Sequence, residues 1–353
     1  MFALTDEQRL LIDSTRRYLA ATPPRDAGGE RYWRRGAELG WTGLLAHSAR
    51  AGRFTDLVLL AREFGREVGV GPLGPVNLAV AALTASDADG RRTDEALSSL
   101  LEGTDTAAWV DGASSAGGVI ARRRSDDVVL DGAVAPVEVA IDAGYLVISC
   151  SDSTTYLVPS STPGVTITAL HSLDGSRSYG RVRCERVLIR PDTLLGRGPD
   201  PALVSHLRDL AVIIQLGEIV GAMEWAFEST TRWCFDRYSF GQPLAAYQAI
   251  QHRLADLAMG LEASRAITAD AALAMLGDGF DRTELVSAAK AYVGRVGPDL
   301  LQECVQLHGG IGLTADHDLH RYLRRVAADV ATHGNVREHA ARVGRLVEQR
   351  VSA

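Results

Sequence analysis

The chain has 353 residues, 46% apolar and 23% charged, with a formal net charge of −7. That length can bury a sizeable core in two or three layers, and the composition is that of an ordinary globular chain. The acidic balance argues against a general nucleic-acid surface, because phosphate binding needs clustered cations.

The N-terminus, Met1-Phe-Ala-Leu-Thr-Asp-Glu-Gln, lacks the basic-then-apolar order of a signal peptide. No uninterrupted apolar run of about 18 residues marks a membrane span. The expectation is a cytoplasmic protein that meets neither membrane nor nucleic acid. Cys150, Cys184, Cys234 and Cys304 lie far apart with no Cys-x-x-Cys spacing, which reads as buried, reduced thiols with no zinc site or disulfide framework. Lys290 is the only lysine; the bias to arginine reads as a matter of genome composition.

Thr5-x-x-Gln8 is a capping box, and apolar residues then repeat at helical spacing up to Pro23-Pro24. Further helices are predicted near Arg31–Leu39, Asp56–Val68, Leu73–Ala85 and Thr93–Leu101. From Asp105 to about Gly198 the period becomes two. Short strands are expected at Val128–Leu130, Gly144–Cys150, Thr155–Val158, Val165–Thr168 and Arg181–Cys184, with turns at Asp131-Gly132, Pro163-Gly164 and Asp174-Gly175. From about Pro201 the pattern is helical again. Long segments run over Ala202–Trp233, Leu244–Met275 and Glu284–Leu307, and shorter ones over Leu319–Asp329 and Asn335–Val351. The fold class is therefore α+β: an all-helical segment (1–104), a small β-barrel or sandwich (105–198) and a four-helix bundle (199–353).

Between the first two long helices stands Arg237-Tyr-Ser-Phe-Gly-Gln-Pro-Leu-Ala-Ala-Tyr-Gln248, read as a tight corner where Gly241 stops one helix and Pro243 starts the next. Gln306-Leu-His-Gly-Gly-Ile-Gly-Leu-Thr314 follows the third. Both strings, in this order, resemble signatures of the acyl-CoA dehydrogenase family. The segment order and Glu38-Leu-Gly-Trp41 extend that resemblance over nearly the whole chain. It departs at Ala46-His-Ser-Ala-Arg-Ala-Gly-Arg53, where a proline- and glycine-containing stretch is usual.

The resemblance implies FAD as cofactor and an acyl-CoA thioester as substrate. It assigns Arg237, Ser239, Gln248, Gln306, Gly309 and Gly310 to FAD held by a neighbouring subunit. Arginine offers a fixed fork of donors to pyrophosphate, and a Gly-Gly turn lets backbone amides approach a phosphate. The barrel side departs from the pattern. Trp109-Val-Asp-Gly-Ala-Ser-Ser-Ala-Gly-Gly118 replaces the family's Thr-Glu-Pro motif, and Ala133-Val-Ala-Pro-Val-Glu-Val139 stands where Trp-Ile-Thr is usual. Ser114 and Ser115 remain as sources of hydroxyls.

Dehydrogenation also needs a carboxylate to take the α-proton. Where the family commonly carries Glu-Gly-Thr, this chain has His333-Gly-Asn335. The other family position aligns near Ala211, flanked at a distance by Asp209 and Glu218. His333 is a substitute base, a group for different chemistry, or part of a silent site; Asn335 is a candidate hydrogen-bond partner of the flavin. His317-x-x-His320 has metal spacing but no evident third ligand, so no metal is expected. Arg321, Arg324 and Arg325 read as a solvated or interface face.

A trans-FAD surface without a base resembles one subunit of actinobacterial α2β2 members that oxidise bulky CoA thioesters such as steroid side-chain intermediates. The partner would then be a homologous catalytic subunit. The alternatives are a homotetrameric flavoenzyme and a scaffold without catalysis.

Overall fold

The computed structural model describes residues 4–22, 29–46, 53–85, 91–113, 118–124, 127–277 and 280–352. Residues 47–52, which carry most of the Ala46–Arg53 departure, lie outside them, as do Pro23, Pro24, Ser114 and Ser115. In chain order come helices α1 (Asp6–Ala21), α2 (Glu30–Glu38), α3 (Arg53–Glu67), α4 (Leu73–Ala85) and α5 (Arg91–Glu102). Strands follow: β1 (Ala107–Asp111), β2 (Ile120–Arg124), β3 (Asp127–Glu138), β4 (Tyr145–Ser149), β5 (Thr155–Pro159), β6 (Val165–Leu170), β7 (Tyr179–Ile189) and β8 (Leu194–Leu195). After these come α6 (Pro201–Asp236), the short strands β9 (Tyr238–Ser239) and β10 (Gln242–Pro243), then α7 (Gln248–Ala274), α8 (Phe280–His308), α9 (Leu319–Ala331) and α10 (Val336–Ser352).

Packing gathers these into two compact units, Met1–Ala21 with Phe54–Gly69 and Val212–Ala353, and Thr22–Arg53 with Val70–Ala211. In the second unit the strands form two four-stranded sheets, ordered β1-β4-β5-β8 and β2-β3-β7-β6. β1 runs parallel to β4, with Ala107 opposite Tyr145, and the remaining pairs are antiparallel. Inward residues of both sheets, among them Val110, Leu130, Ile148, Val158 and Val182, build one shared core. The α4 helix is apolar around its circumference and correspondingly buried from Leu73 to Leu83 apart from Gly74. Trp41 is fully buried, packs edge-on to Tyr32, and lies where a Cβ on Gly36 would collide with its ring. Asn77 Nδ2 donates to Trp41 O at 2.9 Å, which fixes the Glu38–Trp41 segment.

The first unit starts with the expected capping box: Gln8 N–H donates to Thr5 Oγ1 and Thr5 N–H to Gln8 Oε1, both at 3.1 Å. Its long helices come together through glycines. A Cβ on Gly65 of α3 would stand 1.9 Å from Glu218 O, and one on Gly221 of α6 would stand 1.9 Å from Arg62 O. Only hydrogen at these positions lets α3 and α6 approach backbone to backbone. Pro201–Asp236 is long and apolar enough by length and composition to cross a membrane, but most of its apolar stretch is buried inside the protein.

Arg325 is not on the solvated arginine face. Its guanidinium is fully buried, donates to Glu218 Oε2 at 2.8 Å and caps Gly69 O at 2.9 Å. On a helix a step of one residue turns a side chain by about 100°, so Arg325 points inward while Arg324 stays exposed.

Candidate active site

The corner after α6 is a small hairpin rather than a direct helix-to-helix joint. β9 and β10 pair antiparallel with Ser239 opposite Gln242. Phe240 and Gly241 turn between them at φ +47° and +85°, the two positive values that a two-residue type I′ turn requires. A single 3₁₀ turn, Leu244–Ala246, follows, so α7 begins at Gln248 and not at Leu244. Pro243 therefore ends a strand instead of opening a helix. Tyr247 Oη donates to Ser239 O at 2.7 Å and closes the corner.

Arg237 is exposed, its guanidinium carbon 5.9 Å from the centre of the Trp233 ring. The other face of that contact chain is His308, stacked on Trp233 at 5.3 Å and 17°. Cys234, Ala245 and Leu307 pack together beneath. Thus the 237–248 corner and the Gln306–Gly310 segment, 58 and more residues apart in sequence, meet at one end of the first unit. Gln248, Gln306, Gly309 and Gly310 are exposed and Ser239 half-buried. Gly309 sits at φ +67°, and a Cβ at Gly309 or Gly310 would meet open space.

These residues fit a phosphate-bearing cofactor. They offer an arginine fork, a glycine turn free of side-chain cover and two unused polar atoms, since neither Trp233 Nε1 nor buried His308 Nε2 has a hydrogen-bond partner among the described residues. His308 Nδ1 donates to Cys304 O at 2.8 Å. Burial first, and His317 beside it, hold its pKa below the usual value, against the raising effect of that carbonyl. His317 belongs to this aromatic cluster, 4.4 Å from His308, and His320 Nδ1 donates to His317 O.

His333, Gly334 and Asn335 form the turn from α9 to α10. His333 is exposed, at φ +54°, and its carbonyl accepts from His339 Nε2 at 2.9 Å. Gly334 is at φ +93°, and a Cβ there would stand 2.7 Å from the same nitrogen. Asn335 Oδ1 accepts from Glu338 N–H at 3.1 Å while Asn335 N–H donates to Glu338 Oε2, a second capping box. Asn335 Oδ1 is thereby engaged at the start of α10. Behind the turn, α6 and α8 supply Gln215 and Lys290. Trp233 and His308 lie 18 residues further along those same two helices, about 27 Å at 1.5 Å per residue. The corner and the His333 turn of one chain therefore cannot meet at the same flavin ring.

Neither neighbouring carboxylate is a ready base. Glu218 is held in the buried ion pair with Arg325, and Asp209, nine residues before it on α6, lies on another face of that helix. At the end of β1, Asp111 takes a two-point contact from Arg208, Nε to Oδ2 at 2.7 Å and Nη2 to Oδ1 at 2.8 Å. That pair occupies the stretch standing in place of Thr-Glu-Pro. Sequence reading missed it because the two residues are 97 apart.

Fold and corner together define a class in which an all-helical segment, a two-sheet segment and a bundle of long helices follow one another. The model of the acyl-CoA dehydrogenase C-terminal domain matches residues 213–345. The acyl-CoA dehydrogenase IpdE2 of Mycobacterium tuberculosis is 28% identical over 274 residues, 78% of this chain and 72% of that protein. The structure of the ChsE4–ChsE5 complex from Mycobacterium tuberculosis superposes with a TM-score of 0.88 at 21% identity, over 99% of both chains. One described as a steroid ACAD does so with 0.83 at 24%, over 98% of this chain and 97% of that one. Over residues 213–345 the chain thus matches the acyl-CoA dehydrogenase C-terminal domain, and a relative similar to it over most of its length is named an acyl-CoA dehydrogenase.

Proposed function

We propose that this chain is a subunit of an FAD-dependent acyl-CoA dehydrogenase that completes a cofactor site in a homologous, base-carrying partner. The observation that carries the reading is the division of its site. The Arg237–Gln248 corner and Gly309-Gly310 keep a full set of phosphate-directed donors, while the position of the base holds His333, with neither nearby carboxylate a ready substitute.

Arg237, Ser239, Gln248, Gln306, Gly309 and Gly310 would hold the adenine and pyrophosphate end of FAD across a subunit boundary. FAD supplies the hydride-accepting chemistry of α,β-dehydrogenation. On this reading 199–353 carries cofactor contact and assembly, and the family fold recurs in a two-component assembly in the ChsE4–ChsE5 complex. A bulky acyl-CoA, of the steroid side-chain type, is the substrate class this arrangement fits, in line with the steroid ACAD neighbour. The enzyme would act in the cytoplasm.

The test is the ratio of bound flavin to chain. Purified alone, the protein is expected to carry far less than one FAD per chain, and to gain flavin when co-expressed with a homologue bearing Glu-Gly-Thr. Within that assembly Arg237→Ala is expected to lower flavin content. One FAD per chain with acyl-CoA oxidation by the isolated protein would instead establish a homotetrameric enzyme. Unchanged flavin in the Arg237→Ala assembly would leave the chain a scaffold.

A further inference from the structure

Of the chain's 37 lysine and arginine residues one is a lysine, and it is fully buried. Lys290, in the middle of α8, directs its ammonium at three acceptors: Gln215 Oε1 at 2.6 Å, Asp329 O at 2.6 Å and Thr332 O at 3.2 Å. Two of these are carbonyls at the C-terminal end of α9, where backbone oxygens lose their helical donors and the helix dipole is negative. Gln215, fixed by the lysine, turns its amide to Thr332 Oγ1 at 2.5 Å, and that hydroxyl donates to Ala328 O at 3.1 Å. The chain of donors from α8 through α6 to α9 has a single polarity, so each bond strengthens the next.

We propose that Lys290 is the positioning residue of the His333–Asn335 turn. A guanidinium is a planar fork and an ammonium a compact tetrahedral donor. Three acceptors converging on one point from two helices fit the second. In a chain that otherwise uses arginine throughout, this geometry accounts for the exception better than composition does. The ammonium ends α9 at Thr332, His339 takes the carbonyl of His333, and the Asn335–Glu338 capping box starts α10. With its three sides held, the turn keeps His333 in the left-handed region, which a non-glycine residue adopts only where its surroundings impose it. That the turn belongs to the active site rests on the functional reading above; that Lys290 holds it does not.

The experiment is hydrogen–deuterium exchange on the full chain, comparing wild type with Lys290→Met and Lys290→Arg. Methionine keeps the unbranched apolar stem of the lysine without its ammonium, so Lys290→Met preserves the packing of α8 and is expected to remain folded. Peptides covering 329–336 should exchange about tenfold faster or more, the effect of acceptors left without donors. Peptides covering 213–226 in α6 should keep wild-type protection, and Lys290→Arg should not restore the turn.

Wild-type exchange at 329–336 in Lys290→Met, restoration by Lys290→Arg, or equal loosening of α6 would each overturn the assignment. Gln215→Met serves if Lys290→Met does not fold: the same peptides should loosen, and an unchanged turn overturns the proposal. Flavin content and turnover in the partnered assembly separate the two ideas. A loosened turn with both unchanged leaves Lys290 in its role and removes the turn from the active site.

Discussion

Burial decides the chemistry of single residues here. Desolvation pushes the thiols of Cys150 and Cys304 up to about 12 and that of Cys184 up to about 11. All four cysteines are free and buried, as their scatter in the sequence suggested. Because the thiolate is the reactive form, none of these three should be alkylated by iodoacetamide near neutral pH until the chain unfolds. Labelling of Cys150 in native protein would show that the core between the two sheets opens.

His308 behaves in the opposite sense. Its folded pKa lies below the ordinary value of 6.5 because the ring is buried between Trp233 and His317. The unfolded state then binds the proton more readily, so stability is full above about 6.5 and is lost as the pH falls through the folded value. Denaturation midpoints of wild type should therefore drop more between neutral and mildly acidic pH than those of His308→Phe. Parallel slopes would mean that this ring is open to solvent.

At the level of elements the first unit is tied by a carboxylate. Glu224 of α6 is fully buried and accepts from Arg62 and Arg66 of α3, at 2.7 and 3.3 Å, and from Arg265 of α7 at 2.6 Å. The three arginines keep some contact with water, so losing the carboxylate costs less than stranding fully buried charges. Glu224→Ala is expected to lower stability by about 3 kcal/mol, read as a lower denaturant midpoint at unchanged slope. A loss under about 1 kcal/mol would show that solvent screens the cluster.

Helices were legible in the sequence because their periodicity reports the buried face, and α4 was placed to the residue. Other elements left weaker traces. β2 has three arginines in five residues and lies at a sheet edge, where no alternation is imposed. β3 is interrupted by Pro136 and by shifts of register at Leu130/Gly132 and Val134/Val137, which hid its second half in the Ala133–Val139 stretch. The β9–β10 hairpin is too short to show any period. The Glu224 cluster joins residues 41 to 162 apart, beyond the reach of local pattern.

For the molecule as a whole, the sequence motifs located the corner and the His333 turn, but only the helices set their separation. With the two groups about 27 Å apart along α6 and α8, a chain that lends the corner to one flavin must present its turn to another. The open question is whether that second site works. His333→Asn decides it, since asparagine tolerates the left-handed backbone that the turn imposes and so removes the imidazole without disturbing the fold. If His333 lies in a silent site, turnover and flavin content of the partnered assembly should stay at wild-type values over the whole pH range. If the imidazole removes the α-proton, turnover should fall by about 10²–10⁴ at constant flavin content, and the acid limb of the pH–rate profile should disappear with it. The first result places all chemistry in the partner. The second gives this chain its own reaction and makes the corner a loan between equals.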